Sequence, residues 1–102
     1  MHTTPRDRIE VLVDAPLTPR LARLAADAGI SGHTLIRTES GRGAHGAWSE
    51  DLISGATAKY IFLAVANREK ADRFLEMLEP LLESHGLVVL RSSAEVLRPD
   101  KF

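Results

Sequence analysis

The sequence predicts an α+β fold in which a four-stranded antiparallel sheet carries two helices on one face. Three observations support this prediction. Four apolar or β-branched segments alternate with two segments of helical periodicity, in the order βαββαβ. Glycine or proline punctuates most of the boundaries. The 102 residues, 44% of them hydrophobic, suffice for one domain with a two-layer core.

The first strand and first helix are marked by a change of hydrophobic period. Arg8–Asp14 contains β-branched residues with period-two alternation, and Ala15-Pro16 ends it. Thr18 is expected to cap the helix through its hydroxyl, with Pro19 at the first helical position. Gly29 supplies the stop. The apolar helix face comprises Leu21, Leu24, Ala25 and Ala28.

The second and third strands are expected at His33–Thr38 and Lys59–Val65. The third is almost continuously apolar, which predicts a central strand covered on both faces. Asn67 can cap the second helix, and Pro80 should interrupt it. The buried stripe of that helix is expected to comprise Ala71, Phe74, Leu75, Leu78 and Leu82.

The last part of the chain is expected to complete the sheet. Gly86 ends the second helix, Leu87–Leu90 forms the fourth strand, and Ala94–Leu97 adds a short edge strand. The whole pattern is a ferredoxin-like sandwich.

The sheet face away from the helices would be bare in a single copy. If Ile9 or Val11, Leu35 and Phe62 point that way, the patch is too apolar to leave in water. Self-association is therefore predicted.

Composition narrows the class of protein. The 13 Lys and Arg residues nearly balance 14 Asp and Glu residues, which argues against a polyanion binder but allows a site for one small anion. The absence of cysteine excludes disulfides and thiolate metal sites. No apolar run approaches the roughly 20 residues of a membrane span, and Met1–Asp7 does not resemble a signal peptide. A cytoplasmic protein is expected.

The segment Glu39–Thr57 has little helical or strand pattern. It holds four of the seven glycines and the only tryptophan, Trp48. So long an irregular segment in a small domain is typical of a functional loop, and we expect it to be flexible without a ligand.

Two motifs carry a resemblance to a known family. Ala28-Gly-Ile-Ser-Gly-His-Thr34 is similar to A-G-I-T-G-x-T-V, with which the second strand begins in the PII signalling family. Gly41-Arg42-Gly43 matches that family's G-R-x-x-G when a deletion is allowed between the arginine and the second glycine. The resemblance spans most of the chain. It implies one PII-like domain over residues 1–102, a homotrimer with inward-facing sheets, and a T-loop between the second and third strands.

Two features separate the chain from classical PII proteins. Ser84-His85-Gly86 stands where they carry T-G-x-x-G-D-G-K with a phosphate-binding lysine, and Tyr60 lies in a strand rather than at a uridylylation site in the loop. The segments Leu78–Gly86 and Glu95–Phe102 resemble instead the PII-like subgroup associated with carboxysome and bicarbonate-transport genes. This resemblance implies binding of an adenine nucleotide (ADP, AMP or ATP), and of bicarbonate, to regulate inorganic-carbon uptake or carboxysome function.

The resemblance also implies a nucleotide site in the cleft between subunits. The threonine hydroxyl would contact adenine, the alanine would offer backbone groups, and the glycines and arginines would face the phosphates. The residues implied are Thr34, Gly41, Arg42, Gly43, Ala64, Gly86 and Arg98. Trp48 is either an anchor for a protein partner or a side chain folded back on the body of the protein.

Two alternatives remain at this stage. An acylphosphatase-like enzyme would need an arginine in a glycine-rich loop after the first strand, but Asp14–Thr18 contains neither residue type. A metal-responsive PII-like trimer is disfavoured because cysteine is absent and His33, His45 and His85 lack a metal-ligand spacing. A protein without catalytic activity, metal or prosthetic cofactor is therefore expected.

Overall fold

A computed structural model, which describes residues 2–43, 46–49 and 58–102, confirms the α+β sandwich. The strands are β1 Thr4–Asp14, β2 Thr34–Arg37, β3 Ser40–Gly43, β4 Gly46–Ser49, β5 Lys59–Ala66 and β6 Val88–Val96. The sheet is antiparallel throughout, with strand order β2-β5-β1-β6, and β3 pairs with β4 in a separate hairpin. The helices are α1 Thr18–Asp27, α2 Arg68–Leu78 and α3 Leu81–Ser84.

The start of α1 differs from the expectation. The hydroxyl of Thr18 does not cap the helix: it donates to the Ala15 carbonyl at 2.9 Å, and Leu17 occupies the capping position. The preceding residues Ala15–Leu17 form a 3₁₀ turn, and this turn places the Ala15 carbonyl within hydrogen-bond distance of the Thr18 hydroxyl. Gly29 ends the helix as expected, with φ 89°.

The second helix is capped and broken where expected. The Asn67 side chain accepts from the Lys70 backbone N–H at 3.0 Å, and Pro80 separates α2 from α3. The break changes the buried stripe: Leu81 is 5% exposed, whereas the predicted Leu82 is 38% exposed. The proline restarts the helix and rotates its register, so the leucine one residue earlier faces the core.

The fourth strand is longer than expected. Residues 88–96 form one strand, β6, paired with β1 along its whole length, so no separate edge strand exists at Ala94–Leu97.

An ion-pair cluster lies on the helix side of β6. Arg91 donates through Nε to the buried carboxylate of Asp7 at 2.7 Å, and its Nη2 lies 2.7 Å from Asp72. The hydrogen bonds to Asp7, then to Asp72, raise the pKa of Arg91.

The face of the sheet away from the helices carries many apolar residues, but they are not the predicted ones, which lie on the helix side. Ile9, Val11 and Phe62 are fully buried under the helices, and Leu35 shares their face because it pairs with Phe62. The strand alternation places another set on the open face: Leu12, Ile36, Ile61, Leu63, Val65, Val88, Leu90 and Val96. Strand β5 is central as expected, but its burial alternates, so within the described residues helices cover one of its faces and not both.

The segment Glu39–Thr57 is not irregular throughout. Its described part forms the β3–β4 hairpin, in which Gly41 pairs with Trp48 and Gly43 with Gly46. Residues 44–45 and 50–57 lie outside the described residues. The hairpin extends from the sheet rather than joining it, because β3 and β4 pair only with each other among the described strands.

Candidate functional site

A cavity of about 770 Å³ opens where β2 begins and β6 ends. We call it the C-terminal cavity. Its wall on the sheet side comes from Leu63, Ala64 and Val65 of β5, and the predicted Thr34 and Arg98 also line it. The structure thus brings together three of the residues expected to bind a nucleotide.

The chain after β6 folds back to close one side of this cavity. Ser31 Oγ donates to the Lys101 carbonyl at 2.9 Å, and Arg6 Nη2 donates to the Pro99 carbonyl at 3.3 Å. The Asn67 N–H reaches the Phe102 carbonyl at 3.4 Å. These bonds tie residues 99–102 to the loop before β2, to β1 and to the residue that caps α2.

The charged side chains that line the C-terminal cavity have one sign. Arg98 and Lys101 line it, and none of the described lining residues carries an acidic side chain. The His33 ring stacks on Phe62 at its edge, with centroids 4.7 Å apart and planes within 15°. A cavity with apolar walls, an aromatic ring and two cations suits a flat, anionic ligand.

A second cavity, about 360 Å³, lies beneath the hairpin at the opposite end of the open sheet face. We call it the hairpin cavity. The predicted Gly43 and Gly86 line it, together with Trp48 and Lys59. Gly86 has φ 60° there, a conformation that glycine adopts without strain.

Trp48 lies against the hairpin that carries it. Its Nε1 donates to Thr38 Oγ1 at 3.0 Å, and the Lys59 ammonium lies 5.3 Å from the ring centroid. The ring occupies the space beside Gly41, where an added Cβ would stand 2.3 Å from Trp48 Cζ2. Gly41 therefore has a packing requirement of its own, while the partner-contact role of Trp48 stays a prediction.

Arg42 lies on the other face of the hairpin. It pairs with Ala47, between the two pairs that Gly41 and Gly43 form, and its side chain is exposed. Arg42 adjoins the hairpin cavity in sequence but does not line it within this single copy.

The predicted nucleotide residues thus fall into two groups. Thr34, Ala64 and Arg98 line the C-terminal cavity, whereas Gly43 and Gly86 line the hairpin cavity. Both cavities include residues of the open face, at different ends of β5: Val65 pairs with Arg8 and Lys59 with Asp14. One copy therefore places the predicted residues in two separate cavities.

Sequence reasoning missed the lysines of both cavities. Lys59 lies in the hairpin cavity and Lys101 in the C-terminal cavity. Strand alternation offered a signal for Lys59, because period two places it on the same face as Ile61 and Leu63. No local pattern pointed to Lys101, whose position depends on the folded-back terminus.

The histidines that the structure describes do not form a cluster. His33 stacks on Phe62, and His85 Nδ1 lies 2.8 Å from Ser84 Oγ, while His45 lies outside the described residues. Within the described ranges, no group of three or more His, Asp or Glu side chains is arranged to hold a metal ion. Likewise, none of the described helices is long and apolar enough to cross a membrane.

Comparison with known proteins identifies the family to which the chain belongs and several solved structures that are similar to it. The family model described as nitrogen regulatory protein P-II matches residues 6–101. No curated protein matches the chain.

Solved structures agree with the family match. CPII, a nitrogen regulatory PII-like protein from Thiomonas intermedia K12 bound to ADP, AMP and bicarbonate, is 27% identical with a TM-score of 0.92, covering 99% of this chain and 96% of that one. A putative PII-like signalling protein from Thermus thermophilus is 17% identical with a TM-score of 0.86, covering 100% and 99%. GlnK of B. subtilis is 12% identical with a TM-score of 0.66, covering 97% and 100%. The last two show the fold alone.

Proposed function

Because the chain belongs to the nitrogen regulatory protein P-II family, we propose that it is a PII-like regulator acting in the cytoplasm. In this proposal it is a homotrimer that binds adenine nucleotide (ADP, AMP or ATP) in the clefts between copies, with bicarbonate as a second ligand. Binding regulates inorganic-carbon uptake or carboxysome function through the segment 39–57. The observation that carries the proposal is the division of the predicted residues between two cavities at opposite ends of the open sheet face.

The C-terminal cavity is the adenine half of the proposed site. Leu63 and Val65 supply apolar walls, and the backbone of Ala64 offers groups to the ring edge. The Thr34 hydroxyl can hydrogen-bond a ring nitrogen. Arg98 adds a forked cation that faces phosphate oxygens at the rim.

The hairpin cavity of the neighbouring copy is the phosphate half. Gly43 and Gly86 line it and leave the backbone N–H groups open to close approach by an anion. Arg42 and Gly41 lie on the same hairpin. A ligand that spans both halves must touch two copies, so the site is incomplete in a monomer.

The open face supplies the reason for assembly. Ile36, Val88 and Leu90 are 44%, 51% and 58% exposed in one copy. They lie on the two edge strands, and further apolar residues of that face lie between them on β5 and β1. Burying this surface against further copies stabilises the assembly by roughly 25 cal/mol for each Å² of apolar surface removed from water. The same contact brings a hairpin cavity of one copy toward a C-terminal cavity of the next.

Bicarbonate enters the proposal through the Thiomonas protein, whose structure was solved bound to ADP, AMP and bicarbonate. Bicarbonate is small, planar and anionic, so loop N–H groups and Arg42 suit it chemically. The two ligands select one conformation of the segment 39–57, which requires only a few kcal/mol of preference for that state. Trp48 then contacts or releases a protein target.

The two alternatives are less well supported. An acylphosphatase-like enzyme is not favoured, because the family match is to a regulatory protein and the turn after β1 lacks arginine and glycine. A metal-responsive trimer is not favoured because the described histidines lie apart. The proposed activity is therefore regulation by binding, without catalysis.

Calorimetry with each nucleotide, with and without bicarbonate, tests the proposal. The Arg42→Ala chain should bind ADP more weakly by about 1.5–3 kcal/mol, the scale of a charge-assisted hydrogen bond, and Arg98→Gln should do the same. Arg20→Gln is the matched control, since it removes an exposed arginine from α1. Absence of both heat and thermal shift with ADP, AMP and ATP would refute the proposed function.

A further inference from the structure

Lys59 is the one cation among the described residues that line the hairpin cavity. Three glycines share this wall, Gly43, Gly46 and Gly86, and the rest of the described lining is apolar or aromatic. No acidic side chain lines it within the described part of the chain. The cavity thus combines a positive charge with exposed backbone, the two kinds of group that hold an oxyanion.

The backbone of Lys59 is fixed more firmly than its ammonium group. Its carbonyl accepts from Thr38 Oγ1 at 2.8 Å and from the Thr38 N–H at 3.1 Å, and its strand pairs with both β1 and β2. The ammonium lies 2.6 Å from Asp14 Oδ1, but the Asp14 side chain is 50% exposed. Because the Asp14 carboxylate is so well solvated, its ion pair with Lys59 is weak, and an incoming anion can compete for the ammonium.

We infer that Lys59 is the oxyanion-binding cation of the hairpin cavity, taking either a terminal phosphate of the nucleotide or bicarbonate. This inference deepens the proposed function and rests on it. An ammonium has three N–H donors, of which Asp14 takes one, so Lys59 can contact the oxyanion without leaving its strand. The glycine N–H groups complete the ligand shell.

Trp48 can report oxyanion binding through a change in its fluorescence. The Lys59 ammonium lies 5.3 Å from the centroid of the Trp48 ring, so a shift of the charge toward an anion changes the field at the indole. Trp48 also lines the same cavity. Oxyanion binding is therefore coupled to the tryptophan of the hairpin through a direct contact.

The test uses the full chain with Lys59→Gln, the charge-retaining Lys59→Arg, and Lys70→Gln as a matched control on α2. Adenosine, ADP, and bicarbonate at saturating ADP are titrated by calorimetry, with Trp48 emission recorded. If the oxyanion is phosphate, Lys59→Gln binds ADP about tenfold to hundredfold more weakly and adenosine unchanged. If it is bicarbonate, ADP affinity is kept and bicarbonate binding falls by the same factor. Lys59→Arg recovers most of the loss, and Lys70→Gln matches the wild type.

One outcome overturns the inference alone. If the wild-type chain binds ADP and Lys59→Gln binds both ADP and bicarbonate with wild-type affinity, Lys59 does not hold the anion and the proposed function stands. If the wild-type chain binds no adenine nucleotide, the proposed function itself fails. Far-ultraviolet circular dichroism and the Lys59→Arg chain separate a lost charge from a lost fold.

Discussion

Replacing Gly41 with alanine should displace Trp48 and loosen the hairpin. An added Cβ would stand 2.3 Å from Cζ2, 2.4 Å from Cη2 and 2.9 Å from Cε2 of the indole. Carbon atoms in contact prefer about 3.5–4.0 Å, so the ring must move by about 1 Å or more. Gly43 is a matched control in the same strand, because a Cβ there would lie 3.9 Å from Trp48 Cζ3, in ordinary contact.

The cost follows from what holds the ring. Its movement breaks the Nε1 hydrogen bond to Thr38, worth about 0.5–1.5 kcal/mol, and the contact with Lys59, worth about 0.5–1 kcal/mol. Opening of the hairpin should therefore become easier by roughly 1–2.5 kcal/mol, which accelerates amide exchange about fivefold to seventyfold. The global melting temperature should stay close to wild type, since β3 and β4 pair only with each other among the described strands.

Hydrogen exchange by mass spectrometry over residues 40–43 and 46–49, with Trp48 emission, measures the effect. Gly41→Ala should exchange faster and emit at longer wavelength, as the indole gains water, while Gly43→Ala matches the wild type. If the two variants behave alike, the ring does not pack on Gly41 as described and the reasoning is refuted.

Three further outcomes are expected. Asn67→Ala removes the cap of α2 and should lower the free energy of unfolding by about 1 kcal/mol in urea titrations; an unchanged midpoint would contradict the cap. Arg91→Ala removes hydrogen bonds to carboxylates and should cost about 1.5–3 kcal/mol in the same assay, whereas a loss within error would show the pairs to be weak. Leu90→Lys should yield a folded monomer by light scattering, while Leu82→Lys, on the helix layer, keeps the assembly; equal masses would remove the open face from the interface.

The order of elements was predictable because hydrophobic period and chain punctuation agree along most of the sequence. Which face of the sheet the helices cover was not predictable. In β1 the apolar residues occupy both alternating positions, with Val11 and Val13 on one face and Leu12 on the other, so sequence alone does not say which face the helices cover. The predicted buried stripe of the second helix is wrong after Pro80, because the helix that restarts there takes a new register.

The hairpin escaped prediction for a related reason. Its strands, Ser40–Gly43 and Gly46–Ser49, contain no β-branched residue and are rich in glycine, so they lack the composition that marks a strand. The candidate site rests on motif resemblance, and the structure places three of its residues, Thr34, Ala64 and Arg98, around one cavity. That these lie apart from Gly43 and Gly86 was visible only in the folded chain, because sheet register decides it.

A mixed-chain binding experiment tests the central claim, that each nucleotide site is shared by two copies. One chain carries Thr34→Val and Arg98→Gln in the C-terminal cavity, and the other carries Arg42→Ala and Lys59→Gln on the hairpin side. Each is inert toward ADP when alone. After the two are mixed and reassembled, every mixed ring holds one cleft in which both halves are intact. The account predicts that ADP binding returns in the mixture with near wild-type affinity and reduced stoichiometry. A mixture that exchanges copies yet stays as inert as its separate components would contradict it.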